Sequence, residues 1–290
     1  MNILVFTDTD LDGSGSALFI KWLYSNKLKD FIVVETTESM IVNEFRSRAE
    51  TLDHFDKIFV LDLCLSKEQS EIIDRSNLVV IDHHLPHVKI KNAYKQSKAI
   101  IEEYTSCVAL LRDKFKTAIN LTEPQQELIT YIDDYDCYTL KHRDSLKLNA
   151  IYKTYNRPKV DKFIEAFNDG FKPYNAQEKN SIKLYINKFR DQLNNVPNFG
   201  TIKHYNAVAI FADFSVSEVA HYLITKYKAD IGIVVNLKTN TVSFRRCTHC
   251  DVDVSVLAQT LCEGGGSPSV AGGKLTMQFA NLIKDFKPCT

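Results

Sequence analysis

The chain has 290 residues, 44% of them hydrophobic and 25% charged; this composition buries a sizeable core, and the length points to two domains. Lysine plus arginine and aspartate plus glutamate balance at 36 each, which excludes holding a long polyanion through bulk charge and leaves that task to local patches. No apolar run is long enough to span a bilayer, and Met1-Asn2-Ile3-Leu4-Val5-Phe6 lacks the basic region and cleavage site of a signal peptide. Seven cysteines without an export signal read as reduced thiols, so the expected location is the cytoplasm.

Residues 3–6 predict a strand and 13–24 a helix, with Thr7-Asp8-Thr9-Asp10-Leu11-Asp12 between them. Residues 31–35 read as a second strand and 39–52 as a helix. The third strand, 57–61, ends in Asp62, and Ser66 caps a helix running to 75. The fourth, 77–81, empties into Asp82-His83-His84-Leu85-Pro86. This cadence predicts an α/β fold built on a parallel sheet with helices on both faces.

From 105 onward the pattern is helical. Residues 106–115 and 122–132, the latter with Pro124 in its first turn, are followed by Asp133-Asp134-Tyr135-Asp136 and by helices over 146–155, 158–168 and 176–193. Residues 194–200, Asn-Asn-Val-Pro-Asn-Phe-Gly, read as a linker. They divide a first domain of residues 1–193, with a helical extension from about 140, from a smaller α/β domain of 201–290. There, strands are expected at 201–205, 207–211, 231–236 and 241–245, helices at 215–227 and 254–261, and a glycine-rich stretch at 264–273.

In a parallel sheet the ends of the first, third and fourth strands share one edge, which gathers Asp8, Asp10, Asp12, Asp62, Asp82, His83 and His84. Carboxylates in one cleft repel by about 1 kcal/mol per pair at about 4 Å in water, and by about 4 kcal/mol at an effective dielectric of about 20. Cations are needed to offset that. Oxygen-rich ligation with one or two imidazoles suits Mn²⁺ or Mg²⁺ better than thiophilic ions, with zinc an open alternative. Two such ions about 3.5 to 4 Å apart activate water and neutralise a phosphoryl group, so phosphoester hydrolysis is the reaction these residues suggest.

Asp8-x-Asp10-x-Asp12-Gly13 taken alone also opens a calcium loop, but Ser14-Gly15-Ser16-Ala17-Leu18-Phe19-Ile20-Lys21 supplies no closing bidentate acid. Gly13 and Gly15 instead suit a tight strand-to-helix turn. Cys247-Thr248-His249-Cys250 has the spacing of half a zinc site. With no second such pair and only Cys262 and Cys289 downstream, a structural zinc is not expected there.

Asp8-Thr9-Asp10-Leu11-Asp12-Gly13, Leu61-Asp62, Asp82-His83-His84 and Tyr135-Asp136 stand in the order of the four motifs of the DHH phosphoesterase superfamily, which the chain resembles over nearly its whole length. Phe214-Ser215-Val216-Ser217-Glu218-Val219, Val242-Ser243-Phe244-Arg245, and Gly264-Gly265-Gly266 with Ala271-Gly272 are similar to the DHHA1 domain attached to many members. The resemblance implies a DHH catalytic domain, a DHHA1-like substrate-binding domain and an active cleft between them. It implies one Mn²⁺ on Asp8, Asp10 and Asp62 and a second on Asp12, Asp62, His83 and Asp136, Mg²⁺ being the alternative ion. Asp62 would bridge, and water between the ions would be the nucleophile. His84 would contact the scissile phosphate or protonate the leaving group, and Asp82 would orient an imidazole. Asp136 fits the fourth motif best, with Asp134 the alternative and Asp133 left to cap or solvate the turn.

Two positions depart from the family pattern. Asp8 stands where the first motif usually opens with histidine, adding a negative charge that bears on metal preference and turnover. Ser267 stands where the glycine motif usually carries histidine, which bears on substrate identity.

On the substrate side, the resemblance implies that Arg245 and the Gly264, Gly265, Gly266 and Ser267 segment grip a phosphate or terminal nucleotide. Lys274 reads first as a solvated lysine and second as a helper. The 13 tyrosines and 17 phenylalanines are spread through predicted cores and form no stacking stripe. Together with zero net charge, this points to short oligonucleotides or small nucleotides rather than a long nucleic-acid track. The first motif and Tyr135-Asp136-Cys137-Tyr138 look most like the short-oligoribonucleotide-degrading members, the nanoRNases. The expected function is therefore a Mn²⁺-dependent phosphodiesterase, an exonuclease releasing nucleoside monophosphates from short oligonucleotides. Alternatives are a phosphodiesterase or phosphatase of cyclic or linear dinucleotides or of 3′-phosphoadenosine 5′-phosphate and, in another class, a nucleotide sensor with weakened catalysis. The oligomeric state is not legible from the sequence.

Overall fold

Short β-branched runs alternating with amphipathic stretches build the N-terminal part of the chain into a parallel sheet. A computed structural model describes residues 1–247 and 249–288 and divides the chain into two units, Met1–Ile182 and Lys183–Thr290. The first unit opens with β1 (Asn2–Thr7), α1 (Leu11–Tyr24), β2 (Asp30–Glu35), α2 (Ile41–Ser47), β3 (Lys57–Leu61), α3 (Lys67–Ile73), β4 (Leu78–Asp82), α4 (Leu85–Val88) and β5 (Lys98–Ile101). Helices α5 (Cys107–Phe115), α6 (Glu123–Asp136), α7 (Arg143–Tyr152), α8 (Lys159–Ala166) and α9 (Ala176–Leu193) follow.

The five strands pair in the order β2-β1-β3-β4-β5, all parallel. Alternate residues of each strand enter different cores. Ile3, Val5, Phe59, Leu61, Val79 and Ile81 pack with α1, α5 and α6 on one face. Leu4, Phe6, Ile58, Val60, Leu78 and Val80 pack with Ile41, Phe45 and Ile73 of α2 and α3 on the other. Covering both faces explains why these strands read as continuous apolar runs. The chain moves from β1 to β2 on one side and then to β3 on the other. That reversal opens a crevice at the carboxyl ends of β1 and β3, the usual ligand position in such sheets.

The second unit adds β6 (Asn198–Ile202), β7 (Tyr205–Phe211), α10 (Val216–Tyr227), β8 (Ile231–Asn236), β9 (Thr241–Arg246) and α11 (Val254–Cys262). It ends with β10 (Gly265–Gly266), β11 (Val270–Lys274), α12 (Met277–Ile283) and β12 (Lys287–Pro288). Its sheet runs β10-β11-β9-β8-β7-β6-β12, parallel between β7 and β8 and antiparallel elsewhere. Val208, Ile210 and Val234 bury one face with Val219, Ala220 and Leu223 of α10. Ile231, Ile233, Val242 and Phe244 bury the other with Leu257 and Ala258 of α11 and Phe279 of α12.

Three expectations need correction. Residues 194–200 are not simply a connector, because Phe199 and Gly200 pair with Val208 and Ala207, and the division between units falls inside α9. Glycine is needed at 200 because the Phe286 ring lies 2.3 Å from where a Cβ would stand. Helix α2 is shorter than 39–52, ending at Ser47, and a 3₁₀ turn occupies 52–54. Helix α6 runs four residues further than 132 and carries the whole Asp133 to Asp136 segment. No helix among the described residues is long and apolar enough to cross a membrane.

Candidate active site

Thr7 ends β1, and its Oγ1 donates to the Gly13 carbonyl at 2.8 Å, folding the connection back tightly. A Cβ at position 13 would lie 2.7 Å from the Asp8 carbonyl oxygen, so only glycine fits this turn without displacement. Helix α1 starts two residues before the predicted position because Asp10 caps it, accepting from the Gly13 amide at 2.8 Å. Asp12 then falls in the first turn. Its buried carboxylate also accepts from the amides of Cys107 at 2.6 Å and Val108 at 2.9 Å, tying α1 to the start of α5.

Strand β3 delivers Asp62, which is 4% exposed and holds a left-handed backbone with φ of 56°, uncommon outside glycine but accessible to aspartate. Its amide donates to Ile81 of the neighbouring strand at 3.0 Å. Just past β4, His83 Nδ1 lies 3.2 Å from the Tyr104 carbonyl oxygen. A carbonyl only accepts, so Nδ1 carries a proton and Nε2 faces the acids. That Nε2 is 3.3 Å from Asp62 Oδ1, 3.6 Å from Asp136 Oδ2 and 3.8 Å from Asp12 Oδ2. An imidazole anchored on a carbonyl and aimed at several carboxylates is the usual posture of a metal-ligating histidine.

The electrostatics fit a divalent ion. Burial first, and then the charge of Asp10, pushes the Asp8 carboxyl up to about 6. Burial likewise pushes Asp12 up to about 6, although His83 and the two α5 amides pull it down. Asp62 and Asp136 are pushed well above the carboxylate range by burial and by the charge of Asp12 and their other acidic neighbours. Burial lowers the His83 imidazole, but Asp12 and Asp136 raise it above its ordinary value. Each rise marks a carboxylate whose charge is uncompensated in the cleft, and the donor set of carboxylate oxygens with one imidazole suits Mn²⁺ or Mg²⁺.

Asp82 has a different task. Fully buried at the end of β4, it accepts from His84 Nδ1 on one oxygen and His87 Nδ1 on the other, both at 2.7 Å. Burial pushes its carboxyl up, but the two imidazoles outweigh that and hold it well below the usual range. Burial lowers His84 and its bond to Asp82 raises it, with a net rise. The His84 side chain is 43% exposed, so its Nε2 can meet a substrate. His87 and Tyr94, whose hydroxyl lies 3.0 Å from His87 Nε2, were missed by sequence reasoning; the signal was a third histidine three residues past His84.

Asp134 and Asp136 are also separated. Asp134 turns into the α6–α7 connection, accepting from Thr139 Oγ1 at 2.5 Å, Ser145 Oγ at 2.6 Å and the amides of Lys141 and His142 at 2.9 and 3.0 Å. Against burial, these donors bring its carboxyl down to about 2. Asp133 accepts from Ser106 Oγ at 2.7 Å. Two close groupings of ligand-capable atoms, each within 4.8 Å, therefore form here: Asp12, His83 and Asp136, and Asp62, Asp82, His83 and His84. Asp8 and Asp10 stand outside these groupings, though both raise Asp62 through their charge.

In the second unit, Arg245, Ser243, Gly265, Gly266 and Gly272 line a pocket of about 320 Å³ together with Ser217 of α10. A Cβ at Gly265 would meet nothing within 4 Å, whereas one at Gly264 would lie 2.0 Å from the Gly272 carbonyl. Gly264 is thus a packing glycine. Ser267 is not a lining residue: its amide donates to the Val270 carbonyl at 2.8 Å and closes the β10–β11 turn. Lys274 pairs with Glu263 at 3.1 Å on the surface. His221, also missed in the sequence, is pushed down to about 4 by burial and then by Arg245.

Fold and site together define a metal-dependent phosphoesterase. Residues 2–135 match the DHH family, N-terminal domain, and this part of the chain is a DHH domain. Its structure is similar to the pGpG-specific phosphodiesterase PggH from Vibrio cholerae, with a TM-score of 0.61 and 14% identity over 98% of this chain and 96% of that one. RecJ in complex with Mn²⁺ from Thermus thermophilus gives 0.58 and 10% over 98% of this chain and 51% of that one. An exopolyphosphatase-related protein from Bacteroides fragilis gives 0.55 and 16%, over 97% and 89%. Identities this low speak for the shared fold. No curated protein matches the chain by sequence.

Proposed function

We propose that the chain is a Mn²⁺-dependent, cytoplasmic phosphodiesterase that hydrolyses short oligonucleotides, dinucleotides included, to nucleoside monophosphates. The observation that carries this reading is the convergence of Asp12, Asp62 and Asp136 on His83 Nε2 at the carboxyl edge of the parallel sheet. Asp12, Asp62, His83 and Asp136 would hold one ion, and Asp8, Asp10 and Asp62 the other, with Mg²⁺ the alternative. When bound, such ions supply the charge that activates water and neutralises phosphoryl oxygens.

The chain's own residues orient and protonate. His84, fixed through its Nδ1 on Asp82, offers Nε2 to a phosphate oxygen or to the leaving oxygen as a general acid. Asp82 keeps that ring in place because His87 holds its other oxygen. The Arg245 pocket would take a terminal phosphate or nucleotide. At about 320 Å³ it lies at the small end of ligand sites, which supports a substrate of few nucleotides. The similarity to a protein named as a pGpG-specific phosphodiesterase supports linear dinucleotides within that range.

A second reading, a nucleotide sensor with weakened turnover, rests on Asp8 in place of the family's usual histidine and on the charge it adds beside Asp10. Chromatography of products from 5′-labelled RNA dinucleotide and longer oligomers, with Mn²⁺ or with EDTA, separates the two. Metal-dependent release of mononucleotides, fastest for the shortest chains, is the expected outcome. Intact oligomers that nevertheless raise the melting temperature would favour the sensor.

A further inference from the structure

The Cys247-x-x-Cys250 pair looks incomplete in the sequence because its remaining ligand lies on a neighbouring strand. Antiparallel pairing sets Ile231 of β8 opposite Arg246 of β9, which brings Asp230, just before β8, beside Cys247, just after β9. The Asp230 carboxylate and the thiols of Cys247 and Cys250 each offer one ligand-capable atom, all within 4.8 Å of one another and all half-buried.

Backbone hydrogen bonds fix both sides of this trio. The Cys247 amide donates to the Asp230 carbonyl at 2.8 Å, and Arg246 Nη1 donates to the Cys250 carbonyl at 2.8 Å. The Cys250 thiol points the same way, 3.4 Å from the Asp230 carbonyl oxygen. Asp230 Oδ2 accepts from the Asn206 amide at 2.8 Å, which orients the carboxylate and leaves lone pairs on both of its oxygens. Tyr205 secures the far end of the turn through its hydroxyl bond to Asp251 at 2.7 Å. Thr248 and Cys289 lie outside the described residues.

We infer that Asp230, Cys247 and Cys250 form a second metal site, for a thiophilic divalent cation of the Zn²⁺ class. Two thiolates and a carboxylate provide three of four tetrahedral ligands, and water completes the set. On binding, each thiol loses its proton to solvent, so one Zn²⁺ releases two protons. Ligand softness separates this trio from the oxygen-rich centre of the first unit: thiolates select zinc, whereas carboxylates suit Mn²⁺ and Mg²⁺.

The test uses the full chain, stripped with EDTA under reducing conditions and reloaded with Co²⁺ as a spectroscopic substitute for Zn²⁺, in excess Mn²⁺. One equivalent of Co²⁺ should produce sulfur-to-cobalt charge-transfer absorption, which Zn²⁺ then abolishes by displacement. The band should disappear in Cys250→Ser and need roughly 10 to 100 times more Co²⁺ in Asp230→Asn. Iodoacetamide labelling of the wild-type protein, mapped by mass spectrometry, reads the site without any variant. Zn²⁺ should protect Cys247 and Cys250, and Mn²⁺ alone should not. No charge-transfer band, a band that survives Cys250→Ser, or equal labelling of the pair with and without Zn²⁺ would overturn the assignment.

Discussion

Asp134 and Asp136 lie two residues apart at the end of α6 and, at about 100° per residue, point to nearly opposite sides of it. One closes a turn and the other faces His83. Asp136→Asn should weaken Mn²⁺ binding by roughly 10 to 100-fold with little change in stability, read by calorimetric titration. Asp134→Asn should instead cost about 1 to 3 kcal/mol in urea unfolding, since it impairs acceptance from four donors, and leave Mn²⁺ affinity unchanged. His87→Phe should lower kcat by roughly 10-fold or more while Mn²⁺ affinity holds, because His84 loses its fixed orientation through Asp82. The acids also set a pH dependence. Asp8 and Asp12 are pushed up to about 6 in the folded chain and Asp62 and Asp136 are raised as well, against about 3.9 unfolded, so the metal-free folded chain binds the extra protons above about pH 4. Stability from these groups falls as pH rises through that window, and metal replaces the protons. The gain in melting temperature on adding Mn²⁺ should therefore be larger at about pH 7.5 than at about pH 5; an equal gain at both would contradict this.

Within the elements, the β1–α1 turn concentrates the structural demand. Gly13→Ala places a methyl against the Asp8 carbonyl and should cost about 1 to 3 kcal/mol in urea unfolding, with weaker Mn²⁺ binding because Asp8 and Asp10 must move with the turn. Strands β1, β3 and β4 were legible because burial on both faces makes their sequences continuous apolar runs that stop at an acid. Asp136 was chosen from the motif, but its place on a helix was not visible, since an Asp-Asp-Tyr-Asp run has the composition of a loop. Nor was the second duty of Asp12, because the amides it caps belong to residues 95 and 96 positions away. Strand β5 is four residues long and follows a polar stretch, so periodicity had little to act on. In sequence the glycine segment reads as an anion cradle; Gly265 and Gly266 do line the pocket, whereas Gly264 and Ser267 serve packing and the hairpin turn.

At the scale of the whole molecule, the two units carry chemically distinct groups: a carboxylate and imidazole centre in the first, and an arginine-lined pocket with a trio of two cysteines and an aspartate in the second. Asp62 is the residue on which the proposed centre depends most, lying at the end of β3 beside His83 and under the charge of four other acids. The decisive measurement is the rate of mononucleotide release from an RNA dinucleotide as Mn²⁺ is titrated into EDTA-stripped protein, for the wild type and for Asp62→Asn. The account predicts no release without metal, a saturable rise with Mn²⁺ in the wild type, and a rate lower by about 10³-fold or more in the folded variant. Release in EDTA, or a variant as fast as the wild type, would contradict it.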